Sequence, residues 1–267
     1  MNEKFHTMPV KLLSIEDKEK KEVFLDILGS IFDESSLGSS MPLIIENQQI
    51  KIKTNFNQGH LFEFTFPKES LDYVFNGDIR LDLNRKKVGK ILESIGIVEP
   101  ESEIAFYKTS EGIEIQYGNS EEGIVSLRAN KPRDEDIIHT RDNHTPIEVT
   151  DIDIKNFLKT LKVLDLQAHT DTFNMIFTGE KIKFTFGGDE TDTRGTTNSI
   201  DCNSELSGSV ETTHFLTIAD ILGDFMGHPH SENVKLRINK HKNTILKAEI
   251  GYKMGSHLEI TFAPKVC

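Results

Sequence analysis

Several groups of side chains in this 267-residue sequence carry the residue types of a reactive centre. Asp189, Glu190 and Asp192 crowd three carboxylates together, as a two-metal nuclease would to hold a pair of cations. They lie in a Gly/Thr-rich stretch, which predicts a solvated acidic turn. His139 with His144, and His228 with His230, have the donor type of a zinc site. Neither pair has a third ligand on a rigid element, and Pro229 fixes an awkward geometry for sharing one ion, so surface or turn histidines are expected. Cys202 and Cys267 are too few and too badly placed for a disulfide framework or a zinc cluster, which points to a reducing compartment. No phosphate-cradling Gly-Lys-Ser/Thr loop and no nucleophile elbow occurs. Catalysis, a resident metal and a cofactor are therefore not expected.

The formal net charge is −12, which argues against wrapping nucleic acid with the whole surface but leaves room for a local basic face. No apolar run approaches the length of a bilayer span and no secretory core follows Met1, so an intracellular protein without membrane contact is expected.

The elements that must carry any site repeat along the chain. The spacing predicts a strand over 10–15 and a helix over 16–32 with Phe24, Ile27, Leu28 and Ile31 on one face and acidic residues at its start. Strand-like runs follow at 43–45, 50–54, 61–66 and 79–83. Asn84 then caps a second helix with the stripe Val88, Ile91, Leu92 and Ile95. Strands at 104–107, 113–117 and 124–127 close this half. Residues 128–146 are polar, hold two prolines and one apolar pair, Ile137-Ile138, and read as an extended linker. The plan then returns. A helix over 151–164 is followed by strands at 173–177 and 181–186 and a polar arm over 187–198. A helix over 217–226 follows, then strands at 234–238, 245–250 and 258–262. The first helices of the halves lie about 135 residues apart, half the chain, as a duplicated unit requires. Two helices per unit cannot cover both faces of roughly seven or eight strands. An α+β fold is expected, with helices packed on one face of antiparallel sheet, in domains 1–127 and 147–267.

Lysines gather on the polar sides of three of the four helices. Lys86 and Lys90 lie opposite the apolar stripe of the second helix, flanked by Arg85 and Lys87; Lys155, Lys159 and Lys162 share one side of the third; Lys18 and Lys21 lie on the first, in competition with Glu22 and Asp26. The fourth carries Asp220 and Asp224 instead. Loosely held cations on one surface suit phosphate contact without base reading.

The tail "MGSHLEITFAPK" (254–265) resembles the C-terminus of the PCNA family of ring-shaped sliding clamps, whose tail runs roughly MG-H-L-x-aromatic-x-LAPK. "FNQGHLFEF" (56–64), "VGKILESI" (88–95), "GEKIKFTFGGD" (179–189) and "FMGHPHSENVKL" (225–236) resemble further family segments in the same order. The resemblance implies two clamp domains in each subunit of a trimeric ring. Its inner wall would bear Lys18, Lys21, Arg85, Lys86, Lys87, Lys90, Lys155, Lys159 and Lys162 against duplex DNA. It implies a peptide pocket formed by Phe56, His60, Ile137, Ile138, Thr244, Thr261, Ala263, Pro264 and Lys265. Thr244 stands where the family usually has proline, and Thr261 where it has an aromatic. Ring closure would pair the edge 123–128 of one subunit with 194–201 of the next. The implied partners are DNA polymerase, the clamp loader and other clamp-binding-motif proteins, met in the nucleus or nucleoid. The alternatives are a subunit of a heteromeric checkpoint or repair clamp and, further off, the metal-dependent nuclease of 189–192.

Overall fold

A computed structural model of the chain describes residues 8–34, 37–56, 60–73, 77–98, 103–118, 123–129, 147–167, 173–186, 195–196, 199–212, 222–238 and 246–262. Two compact units result, one formed by 1–56, 63–137 and 253–256, the other by 57–62, 138–252 and 257–267. The expected linker lies outside the described residues beyond 129.

The first unit opens with β1 (Val10–Ile15) and α1 (Lys18–Asp33). Asp17 caps α1, its carboxylate accepting from the Lys20 amide at 2.8 Å, and so satisfies one of the donors a helix start leaves open. Next come β2 (Ser40–Glu46), β3 (Gln49–Phe56) and β4 (His60–Phe66). The β2–β3 turn uses two left-handed residues, Asn47 and Gln48, the geometry that matches the twist of paired strands. Then follow β5 (Asp72–Tyr73), β6 (Ile79–Asn84), α2 (Arg85–Val98), β7 (Ile104–Lys108), β8 (Gly112–Tyr117) and β9 (Ile124–Arg128). Strand order is β5-β1-β7-β8-β9 in one run and β4-β3-β2-β6 in another. Phe24 of α1 joins the two, its ring 4.8 Å from Phe66 and 5.8 Å from Phe106. The predicted α1 stripe is buried, as are Val88, Leu92 and Ile95 of α2.

The second unit comprises β10 (Ile147–Thr150), α3 (Ile154–Gln167), β11 (Phe173–Thr178), β12 (Lys181–Phe186), β13 (Gly195–Thr196), β14 (Ile200–Asp201), β15 (Asn203–Ser204), β16 (Ser207–Thr212), a helical segment at 222–226, β17 (Ser231–Ile238), β18 (Leu246–Tyr252) and β19 (His257–Phe262). Its runs are β15-β10-β17-β18-β19 and β13-β12-β11-β16, with β14 also on β12. Each run repeats the order of its counterpart in the first unit, β10 standing for β1 and β11 for β2. The α+β class with similar domains is the observed architecture. Its core sets Phe157 of α3 edge-on to Phe184, centroids 5.7 Å apart, with the Phe173 ring also 5.6 Å from Phe184.

Sequence patterning missed β5, β10, β13, β14, β15 and β16. All but β10 and β16 are two residues long, too short to show alternation, and β16 (Ser-Gly-Ser-Val-Glu-Thr) holds one apolar residue.

Candidate nucleic-acid interface

Each lysine-bearing helix has its start fixed by a side-chain cap. The Asn84 carbonyl accepts from the Lys87 amide at 3.1 Å, and the Asp153 carboxylate accepts from the Asn156 amide at 3.0 Å and its side-chain amide at 2.7 Å. Capping pins the phase of α2 and α3, and with it the direction of their polar faces. Lys86, Lys87 and Lys90 on α2 are exposed, as are Lys155, Lys159 and Lys162 on α3. None of these six is paired with a carboxylate among the described residues. Their charge is therefore available to a mobile anion.

Helix α1 behaves differently. Lys18 is exposed but Lys21 is only 3 % exposed. Position 21 falls in helical phase with Phe24, Leu25 and Leu28, so its side chain packs with that stripe although Lys18, one turn earlier, stays in solvent. Lys18 and Lys21 line a groove of about 420 Å³ with Glu22, Asp26 and Glu93, where carboxylates outnumber ammoniums. Arg85 is likewise buried, at 5 % exposure, and donates to main-chain carbonyls. Lys21 and Arg85 are corrected from surface cations to packed ones. Asp224, on the fourth helix, is exposed and acidic.

Two of the expected pocket residues can be placed. His60 on β4 and Thr261 on β19 are each 1 % exposed. Phe56 belongs to β3, but its side chain lies outside the described residues, as do Ile137, Ile138, Thr244, Ala263, Pro264 and Lys265.

Each unit presents one sheet edge of the kind expected for ring closure. Among the described residues β9 pairs only with β8, and it holds Ile124 at 45 % exposure. β13 and β14 together flank β12.

His228 accepts the His230 amide on Nδ1 at 3.2 Å, its ring 5.3 Å from that of His230 and 5.7 Å from Tyr252. Among the described residues no three His, Cys, Asp or Glu side chains converge as a metal site would require. The 189–192 carboxylates lie outside them. Burial, aided by the Asp201 charge, pushes the Cys202 thiol up to about 11, which keeps it protonated and poorly nucleophilic.

The chain superposes on proliferating cellular nuclear antigen from Entamoeba histolytica with a TM-score of 0.73, over 97 % of its own length and 100 % of that chain. It has the PCNA fold. Sequence identity across the match is 14 %, so the likeness is one of architecture. No family model matches the chain, and no curated protein matches it. A PCNA fold built on this sequence keeps the duplicated helix and strand plan while replacing most of the side chains on it. No described helix is long and apolar enough to cross a membrane.

Proposed function

We propose that this protein is a sliding clamp: a closed ring of like subunits that encircles duplex DNA and tethers a polymerase and other replication or repair proteins, without chemistry of its own. The observation that carries the reading is the set of six exposed lysines on capped helices, free of described ion pairs, on a PCNA fold with an otherwise acidic chain. Ammonium groups on long stems bind phosphate as point charges and exchange partners readily, which permits translation along the duplex; forked arginine contacts would hold one register. An acidic remainder keeps DNA off other surfaces. The ring would close by β9 of one subunit pairing with the 195–201 edge of the next, and the 56–60, 137–138, 244 and 261–265 positions would receive short apolar peptides of clamp-binding proteins. Its place would be with DNA, in a nucleus or nucleoid.

The double variant Lys86→Glu with Lys90→Glu tests it. Titrated with short duplex DNA of mixed sequence over a salt series, the variant should bind more weakly and show a salt slope reduced by about one for each phosphate contact removed. Equal affinity and slope would remove the assignment of α2 to DNA. The 14 % identity behind the likeness to PCNA leaves a second reading, a subunit that pairs with non-identical neighbours in a heteromeric checkpoint or repair clamp. Assembly in solution distinguishes the two.

A further inference from the structure

We infer that Arg85 is a positioning residue that locks the end of α1 to the start of α2, and so aims the Lys86, Lys87 and Lys90 comb; the second clause rests on the function proposed above. The guanidinium is buried and donates from Nη1 to the Phe32 carbonyl at 2.8 Å and from Nε to the Gly38 carbonyl at 3.2 Å. Phe32 lies in the last turn of α1, where carbonyls have no partner within the helix and where the helix dipole favours a cation. Arg85 fills that need from another element. Its own amide donates to the Ser39 carbonyl at 3.0 Å, so backbone and side chain of one residue grip both the helix end and the 38–39 segment after it.

A second feature points the same way. One turn on, Gly89 faces Phe32: a methyl group there would stand 3.4 Å from the Phe32 Cβ and 3.5 Å from its carbonyl oxygen. The missing side chain lets α2 come close enough for the arginine fork to reach. Arg85 precedes Lys86, Lys87 and Lys90 on the same rigid helix, so the rotation it fixes is the rotation of all three lysines. A lysine at 85 keeps the charge but offers one compact donor group in place of the fork, which cannot span both carbonyls.

Hydrogen exchange on the full-length protein separates this role from a phosphate contact. Arg85→Met should speed exchange of the Glu34, Leu37 and Arg85-position amides roughly 10- to 100-fold, because the α1 end and the 38–39 segment that these amides hold together lose the guanidinium that ties them at the Phe32 and Gly38 carbonyls. Arg85→Lys should restore only part of that protection. In the DNA titration Arg85→Met should bind more weakly than wild type, because the Lys86, Lys87 and Lys90 comb is no longer aimed, with Arg85→Lys between the two. The salt slope should stay near the wild-type value, since all three ammoniums remain. Unchanged affinity would remove the aiming role. The inference is overturned if Arg85→Met exchanges like wild type at those amides, or if it folds normally, lowers the slope by about one and is rescued by Arg85→Lys. If wild type itself binds no DNA, the clamp reading fails, while the exchange result still decides the helix lock. Should Arg85→Met not fold, Arg85→Lys alone serves, intact protection there counting against the lock.

Discussion

At the residue scale, the cations of this chain divide by environment and not by type. Lys86, Lys87, Lys90, Lys155, Lys159 and Lys162 stand in solvent, whereas Lys21 and Arg85 are enclosed by helix packing. One turn of helix separates the two classes on α1, where Lys18 is exposed and Lys21 is not. Buried Tyr252 and half-buried Tyr73 make a comparable point about phenols. Tyr252 donates to the Phe225 carbonyl at 2.9 Å, and burial holds its ionisation well above the usual tyrosine range. Tyr73 is raised chiefly by burial and further by Glu69, against a lowering contribution from the Ile50 amide it accepts. Because both folded-state values lie above the unfolded ones, their stabilising contribution is complete below pH 10 and is lost as pH rises through the alkaline range. Tyr252→Phe should cost about 1 kcal/mol at neutral pH, from the unpaired carbonyl, and should weaken the fall in stability above pH 10. Urea unfolding at pH 7 and across the alkaline range checks both; an unaltered alkaline slope would count against the burial of this phenol.

At the scale of elements, sheets turned toward water on one face need side chains that pair across strands. On β10, β17, β18 and β19 a single guanidinium gathers three carboxylates: Arg237 reaches Glu148 at 3.2 Å, Glu249 at 3.0 Å and Glu259 at 3.9 Å. Lys235 and Lys247 complete the ladder, on Glu148 at 3.3 Å and Glu259 at 3.9 Å. These positions alternate along the strands with buried Leu236, Ala248 and Ile250. Half-exposed pairs are worth little singly, but removing the shared cation leaves carboxylates facing one another across the ladder. Arg237→Met should therefore cost roughly 1 kcal/mol at low ionic strength and less at high salt, as read from denaturant midpoints. A loss independent of salt would mean the side chain acts by packing alone.

The whole molecule is one plan written twice. The proposed ring needs an open edge at each end of the plan, and among the described residues β9 and the β13 and β14 side of β12 are sheet edges. The proposed homotrimer should sediment and scatter at about 91 kDa, three times the 30.3 kDa of one chain. A single-chain mass that rises only on adding other clamp subunits would favour the heteromeric reading instead. Helical stripes, the Asn84 cap, the strand alternation of β11 and the duplication were all legible in the sequence, because each depends on neighbours within a few residues or on a long-range repeat. Lys21 and Arg85 were not. Their neighbours, Leu92 and Glu93 across the groove and the Phe32 and Gly38 carbonyls, come from distant parts of the chain, and polarity alone cannot tell a cation in water from one enclosed by helix packing. The sequence by itself determined which residues build the layers and that the layers recur. Only the tertiary structure decided which charges remain outside, because burial is a property of what packs against a residue and not of the residue.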